Sequence, residues 1–424
     1  MNRKSIMMFF MAAVFLGTTV FAVLSSAEDY SYQSETAHVN TMRTSYNDEY
    51  YTIFKTDRDT IIADGVYKDD AVTDFQVTQC STYATKMTLE AGEGGKYHAE
   101  FTAVPRQKNA LIKIILQSGT TLSYRVEYND SGWFFCDNGL GEQLMEKLKK
   151  PTEITNVANA YYVSEAADPD EIESTLELVT ATADEICKDA QNDYQKARLI
   201  AKWVAENIYY DLDARENGVS VGTIAIANVM KDKRTVCGGF ANLYCAMLES
   251  QGIRAVNIKG GVTSSDIPYG ELAEGPENHE FTAFYYDDEQ RWVIVDSCWD
   301  TSNIYQKSEY IKGAQDEQYF DITPLALSLN HRGDKVEQRH YFDSLVFLEE
   351  YQSTAAYETT AETQVTPEET EVTDITRKEE KQEEVAVPEN KGEDNPTVLY
   401  IVIGIISVGI IATVIFIINL KRKE

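Results

Sequence analysis

The stretch Val236-Cys237-Gly238-Gly239-Phe240-Ala241, followed by Leu243, Tyr244, Met247 and Leu248 and closed by Gly252, decides how the rest of the chain is read. Phe240, Leu243, Tyr244, Met247 and Leu248 recur at steps of three and four, which is one stripe of a helix. The stripe begins just after the cysteine, and Gly252 suits the C-terminal cap. The Cys237 thiol therefore stands at a helix N-terminus, where unpaired N–H groups and the helix dipole favour a negative sulfur. That setting is the one in which cysteines become nucleophiles. The two glycines leave an entrance for a substrate carbonyl, and backbone N–H groups at the turn, that of Cys237 included, are placed to stabilise an oxyanion.

Working outward, a nucleophile of this kind needs a base. The chain has five histidines, and His279 opens an alternating run, Glu280-Phe-Thr-Ala-Phe-Tyr-Tyr, in the same region. Asp296 follows near the end of the next run, Arg291-Trp-Val-Ile-Val-Asp. A turn centred between Asp287 and Asp288, with an even loop, sets His279 directly opposite Asp296 on one face, with Cβ atoms ~5 Å apart. A carboxylate there fixes the imidazole tautomer and supports its charged form. An odd loop would slip the register and separate them. Before the cysteine, Asp170 to Lys188 and Asn192 to Asn207 show helical spacing; after it come strands, beginning with Arg254-Ala-Val-Asn-Ile-Lys. Helices, one cysteine-headed helix and then an antiparallel sheet make an α+β arrangement. Taken singly, Cys237 suits packing, His279 suits a strand edge and Asp296 suits a turn; their combination beside two glycines points to catalysis.

Val236-Cys237-Gly238-Gly239-Phe240-Ala241, with Leu248 and Gly252-Ile253 after it, resembles the nucleophile helix of the transglutaminase-like superfamily. In that family a histidine opens a later strand and an aspartate closes the next one, usually before Pro-Thr-Trp-Asp. This chain has His279-Glu280-Phe281-Thr282, then Trp292 and Asp296-Ser297-Cys298-Trp299-Asp300. Lys196-Ala197-Arg198 through Trp203-Val204 to Ile208-Tyr209-Tyr210-Asp211 is similar to the preceding helix of the family. Tyr319-Phe320-Asp321 and His331-Arg332 are similar to its tail. Two departures stand out: Phe281 replaces the usual tryptophan, and Ser297-Cys298 replaces Pro-Thr. Cys298, two residues from Asp296, shares its face and is a candidate to restrain Cys237 as a disulfide. The resemblance implies a papain-like fold and mechanism, with Cys237 attacking a carboxamide or peptide carbonyl, His279 handling the proton and Asp296 orienting His279. An amine resolving the thioester gives a crosslink; water gives a protease or amidase.

The flanks read differently. From about Tyr50 to Leu140, short alternating runs such as Tyr97-His-Ala-Glu-Phe-Thr-Ala and Leu122-Ser-Tyr-Arg-Val-Glu-Tyr are punctuated by turns such as Gly92-Glu93-Gly94-Gly95. This predicts an antiparallel β-sandwich of roughly seven strands over residues 28–150, ahead of a catalytic domain over 155–345. Cys80 and Cys136 are candidates to bridge the sandwich. Residues 1–27 have the basic start, apolar core and small residues of a signal peptide, with an uncleaved anchor as the alternative. Thr397 to Leu420 carries no charge and is long enough to span ~30 Å of hydrocarbon; Lys421-Arg422-Lys423 marks the cytoplasmic side. A transpeptidase sorting signal has the same outline, but no Leu-Pro-x-Thr-Gly precedes the run. Between 351 and 395 there are 13 acidic and four basic residues, which predicts a disordered stalk over 350–395.

A net charge of −31 argues against a nucleic-acid partner. The expected partners are an extracellular protein or peptide substrate, and the membrane through the C-terminal helix. No cofactor is called for, and no carboxylates at calcium-loop spacing call for a metal. The sequence thus points to a membrane-anchored extracellular thiol enzyme acting on amide bonds; the alternative is an adhesion protein that uses the same domain as a scaffold without turnover.

Overall fold

Period-two burial builds the N-terminal half. Tyr50–Thr56 buries Tyr50, Thr52, Phe54 and Thr56 while the residues between face outward, and Lys96–Thr102 buries Tyr97, Ala99 and Phe101. One face of each strand is apolar and must be covered. In the computed structural model, which describes residues 37–78, 86–102, 109–263 and 269–362, two antiparallel five-stranded sheets cover one another. One has the order Ala37–Val39, Gly132–Asp137, Thr121–Asn129, Asn109–Leu116, Val72–Thr78. The other runs Thr41–Arg43, Tyr50–Thr56, Thr60–Tyr67, Lys96–Thr102, Lys86–Ala91. Among the described residues the count is ten strands rather than about seven; the two three-residue strands at the start are too short to show alternation. Cys136 is a free, buried thiol, so the expected bridge to Cys80, which lies outside the described residues, is not formed.

A third five-stranded sheet carries the site. Its order is Thr152–Ile154, His331–Arg339, Ala255–Val262, His279–Tyr286, Arg291–Val295, with only the first pair parallel. Both faces are buried. Phe281, Ala283, Trp292 and Ile294 join the core of the N-terminal sheets, while Phe284, Tyr286, Val293 and Val295 join a core built on the helices Pro169–Cys187, Asp193–Asn207 and Cys237–Ser250. The local signals for those helices are plain. Asp168 accepts from the Glu171 N–H with Pro169 just inside, and Asn192 accepts from the Gln195 N–H, two side-chain N-caps. A small four-stranded sheet has the order Arg234–Thr235, Tyr209–Asp211, Ile304–Gln306, Glu309–Ile311; its first two strands precede Cys237 in the chain and its last two follow Asp296.

The expected stalk begins differently: Ser344–Glu362 is a helix. Leu348 is buried among the helices and Leu345 packs against the same core, and that tertiary anchoring, with helix-forming Glu, Ala and Gln behind it, outweighs the Thr/Glu-rich composition. The stalk beyond 362, the signal peptide at 1–27, the span at 397–420 and the tail at 421–424 lie outside the described residues. Among the described residues no helix is long and apolar enough to cross a membrane.

Candidate active site

Cys237 is the first residue of the 14-residue helix Cys237–Ser250, with Val236 as an extended N-cap that offers no side chain to the helix start. The first N–H groups of any helix have no acceptor within it. The Val236 carbonyl takes the Gly239 and Phe240 N–H groups at 2.9 and 3.2 Å, so the donors at the entrance are those of Cys237 and Gly238. From Gly238 to Leu248 every residue of this helix is buried, which fixes the half-buried Cys237 at its tip. The two glycines do different work. A Cβ on Gly239 would lie 1.9 Å from Thr235 Oγ1, whereas one on Gly238 would meet Glu280 and Ile224 at an ordinary 3.4 Å. Gly239 is thus a packing requirement against Thr235, not a device for admitting substrate.

His279 opens its strand and is almost wholly buried; its Nε2 lies 2.6 Å from Asp296 Oδ2. The register differs from the expected one. Tyr286 pairs with Arg291 and Thr282 with Val295, around a four-residue connection from Asp287 to Gln290. The turn is therefore centred one residue later than expected, and Asp296 is level with Phe281 rather than with His279. The parity is unchanged, so both still point to one face. Asp296 has also left the ladder, its N–H donating to the Tyr319 carbonyl at 3.2 Å. From there it reaches His279 diagonally.

With Nε2 engaged by the carboxylate, the ring's remaining nitrogen, Nδ1, is left for Cys237, which is near enough to support the ring's positive charge. Burial works against charge on this imidazole, but Asp296, and after it Cys237, outweigh burial and push its pKa up to about 10. Burial likewise opposes ionisation of Asp296; His279 and then His331 overcome it and hold the carboxyl well below the usual range. Asp296 Oδ1 accepts the backbone N–H groups of Cys298 and Trp299 at 3.0 and 3.1 Å. Cys298 is buried, and both it and the half-buried Cys237 are free thiols; the expected disulfide between them is not formed, and burial pushes the Cys298 thiol up.

The structure therefore brings all three expected residues together, and it adds one that sequence spacing did not place. His331 Nε2 lies 3.1 Å from the same Asp296 Oδ2. Its sequence signal is no more than the family-like tail His331-Arg332, and strand order is needed to bring it to the site. The nitrogens of His279 and His331 and the Asp296 carboxylate lie within 4.8 Å of one another, a donor set that suits zinc in type. As arranged, the three are joined by hydrogen bonds through one oxygen rather than spread around a common centre.

This arrangement can generate a thiolate, hold an imidazolium beside it and present N–H donors to an oxyanion, which is the equipment of acyl transfer. Residues 180–297 match the model of the transglutaminase-like superfamily, a span that includes Cys237, His279 and Asp296 and stops short of His331. The chain is 24% identical over 150 residues to the kyphoscoliosis peptidase of Mus musculus and 23% identical over 150 residues to that of Homo sapiens. Each alignment takes in 35% of this chain and 22% of the relative, so the chain spans about a fifth of the length of these curated relatives. A solved structure described as a TGase is similar at 14% identity over 54% of this chain and 47% of that one, with a TM-score of 0.24. By its sequence, then, the segment from 180 to 297, with the cysteine-headed helix at its centre, is a transglutaminase-like domain.

Proposed function

We propose that this chain is a thiol enzyme that acts on protein or peptide amide bonds through Cys237, His279 and Asp296, held outside the cell by the apolar run at 397–420. The observation that carries it is the imidazole pair: His279 meets Asp296 at 2.6 Å on one nitrogen, beside a helix-tip thiol that supports the ring's positive charge. The Cys237 sulfur gives its proton to His279 Nδ1 and attacks the carbonyl carbon. The oxyanion so formed is met by the N–H groups of Cys237 and Gly238. His279 returns the proton to the departing amine, the C–N bond breaks, and a thioester remains on Cys237. Water or a primary amine, deprotonated by the same ring, then displaces the sulfur. The name of the kyphoscoliosis peptidases supports water as the acceptor.

The test is iodoacetamide alkylation of Cys237 in the full chain across pH, beside His279→Ala. Half-maximal reactivity well below pH 8 that is lost in the variant is the expected result. A profile typical of a free thiol and indifferent to the substitution would leave a binding scaffold instead. Where the first result is obtained, a glutamine-rich protein offered with a fluorescent primary amine separates the outcomes: incorporation means transfer, and new fragments or free carboxylates mean hydrolysis.

A further inference from the structure

We propose that His331 is a positioning residue of this site: a neutral second imidazole that donates from Nε2 to Asp296 Oδ2 and so keeps the carboxylate ionised and aimed at His279. The inference rests on the thiol chemistry proposed above and extends it to a residue outside the 180–297 match.

The placement depends on strand order. His331 opens the strand on one side of Ala255–Val262, and His279 opens the strand on the other side. The residue level with His279 on the strand between them is Gly260, whose missing side chain lets the backbones close up. A Cβ there would lie 1.7 Å from the Arg332 carbonyl. The two rings approach to 5.4 Å between centroids, edge to face. Trp299, Tyr319 and Phe281 close around His331 at 4.5, 5.1 and 5.5 Å, so that its side chain has no exposure to solvent. The enclosure shuts out the water that a second positive charge would need; burial, and after it the charge on His279, though opposed by Asp296, push the pKa of His331 down to about 4.

Hydrogen-bond accounting then fixes the direction of every proton. Asp296 accepts four bonds, from the Nε2 atoms of His279 and His331 at Oδ2 and from two backbone N–H groups at Oδ1. A carboxylate has about four such places, and all are used; a proton on either oxygen would displace one of them. A neutral His331 has a single ring proton, and the anionic neighbour claims it at Nε2. In the structure Asn330 Oδ1 lies 2.6 Å from His331 Nδ1 and Asn330 Nδ2 donates to the Tyr319 hydroxyl at 2.8 Å, but with the ring proton on Nε2 the Nδ1 must accept from this amide. Turning that amide by 180° satisfies both contacts, since the two ends of an amide are assigned by such networks. The chain runs Tyr319 O–H to Asn330, Asn330 N–H to His331 and His331 N–H to Asp296. It ends on a carboxylate that can only accept. His279 is thereby held with its proton on Nε2 and its Nδ1 open toward Cys237.

The test uses the full chain labelled with 15N-histidine, read by the ring nitrogens of His279 and by alkylation of Cys237 against pH. His331→Phe keeps an aromatic ring in the cage and removes the donor. The expected result is loss of the ordered Nε2–H of His279, which the parent keeps both as imidazolium and as the neutral ring, and a rise of about one pH unit in the alkylation midpoint. His331→Gln, whose amide can reach Asp296, should restore the parent midpoint to within about 0.3 unit. An unchanged His279 tautomer and profile in a folded His331→Phe, or a Gln variant no better than Phe, would overturn the proposal and leave packing alone. Should the Phe variant not fold, Asn330→Leu, which frees the His331 proton from its fixed side, should move the midpoint in the same direction by a smaller amount; no movement overturns the proposal. If parent Cys237 behaves as an ordinary thiol, the enzyme reading falls, and the His279 tautomer in the variants still decides the role of His331.

Discussion

Replacing Asp296 by Asn keeps size and shape and reverses one polarity. The carboxylate accepts at both oxygens, but an amide has only one acceptor atom. The Cys298 and Trp299 N–H groups retain it, because they are fixed by the backbone turn. The NH2 end then faces His279 Nε2 at the place where an acceptor was. His279 must present a lone pair to it, so its proton moves to Nδ1, the side that faces the thiol, and the base is gone. The size of the effect follows from the ring's pKa, which stands at about 10 against an ordinary 6.5. That is a difference of about 5 kcal/mol at ~1.4 kcal/mol per unit, with Asp296 the largest favourable contributor. Against an ordinary thiol at ~8.5, an imidazole at about 10 favours the ion pair ~30-fold; an ordinary imidazole disfavours it ~100-fold.

The Asn variant should therefore behave as a free thiol. At pH 7 its alkylation should be slower by roughly thirtyfold, because only about 3% of an ordinary thiol is ionised there. Its midpoint should move up to ~8.5, and any amide turnover should fall by about 10³ or more, as when a triad histidine holds the wrong tautomer. Alkylation followed by mass spectrometry over pH 4–10, with a melting curve to show that the variant is folded, makes the measurement. A folded Asp296→Asn chain that overlays the parent profile would refute the assignment of Asp296 and the account of the imidazole built on it.

Gly239→Ala forces its Cβ to 1.9 Å from Thr235 Oγ1, and Gly238→Ala meets only ordinary 3.4 Å contacts; the first should cost about 1–3 kcal/mol in chemical denaturation and the second well under half of that. Arg339 is buried between Glu280 and Glu337 at 2.8 and 2.6 Å, and Glu337 keeps Lys259 at 2.9 Å, so Arg339→Met strands Glu280 and should cost about 3–5 kcal/mol by the same measurement. The pKa of His331 is depressed to about 4, so between about 6.5 and 4 the unfolded chain binds a proton that the folded chain refuses, and stability falls as the pH drops. The parent should lose up to about 3 kcal/mol more than His331→Phe across that window, read as the difference between their denaturation midpoints; parallel curves would contradict it.

How much of this was legible before the structure is best judged residue by residue. The helix at Cys237 was plain because its signals are local: a periodic stripe, a cysteine before it and a glycine after it. The pairing of His279 with Asp296 was legible in parity and not in register. An even loop keeps two strands in phase whatever its centre, but the centre depends on Gln290, which turns with φ of 53°, a left-handed conformation that non-glycine residues seldom announce. The helix at Ser344–Glu362 was misread because composition outvoted two leucines whose partners lie far away in sequence. His331 was out of reach for a stronger reason. Its contact with Asp296 requires knowing that the last strand of the sheet inserts beside Ala255–Val262, and no periodicity within either segment records that order.

The same geometry explains why Ser297-Cys298 can stand where relatives of this domain usually carry Pro-Thr. Asp296 is not held by the side chains that follow it. Its Oδ1 is held by the backbone N–H groups of Cys298 and Trp299, and its Oδ2 by two imidazoles. A proline at 297 would remove an N–H that this carboxylate does not use, and a threonine at 298 would supply the same N–H that Cys298 supplies. The turn therefore constrains the backbone after Asp296 while leaving the two side chains open to substitution. The position whose side chain cannot vary freely is Trp299, which packs on His331 at 4.5 Å and on Tyr319 at 5.4 Å. A tryptophan three residues beyond the aspartate is thus tied more closely to the second histidine than to the first, whose ring lies 6.1 Å away. Its truncation should loosen His331 before it disturbs the pairing of His279 with Cys237.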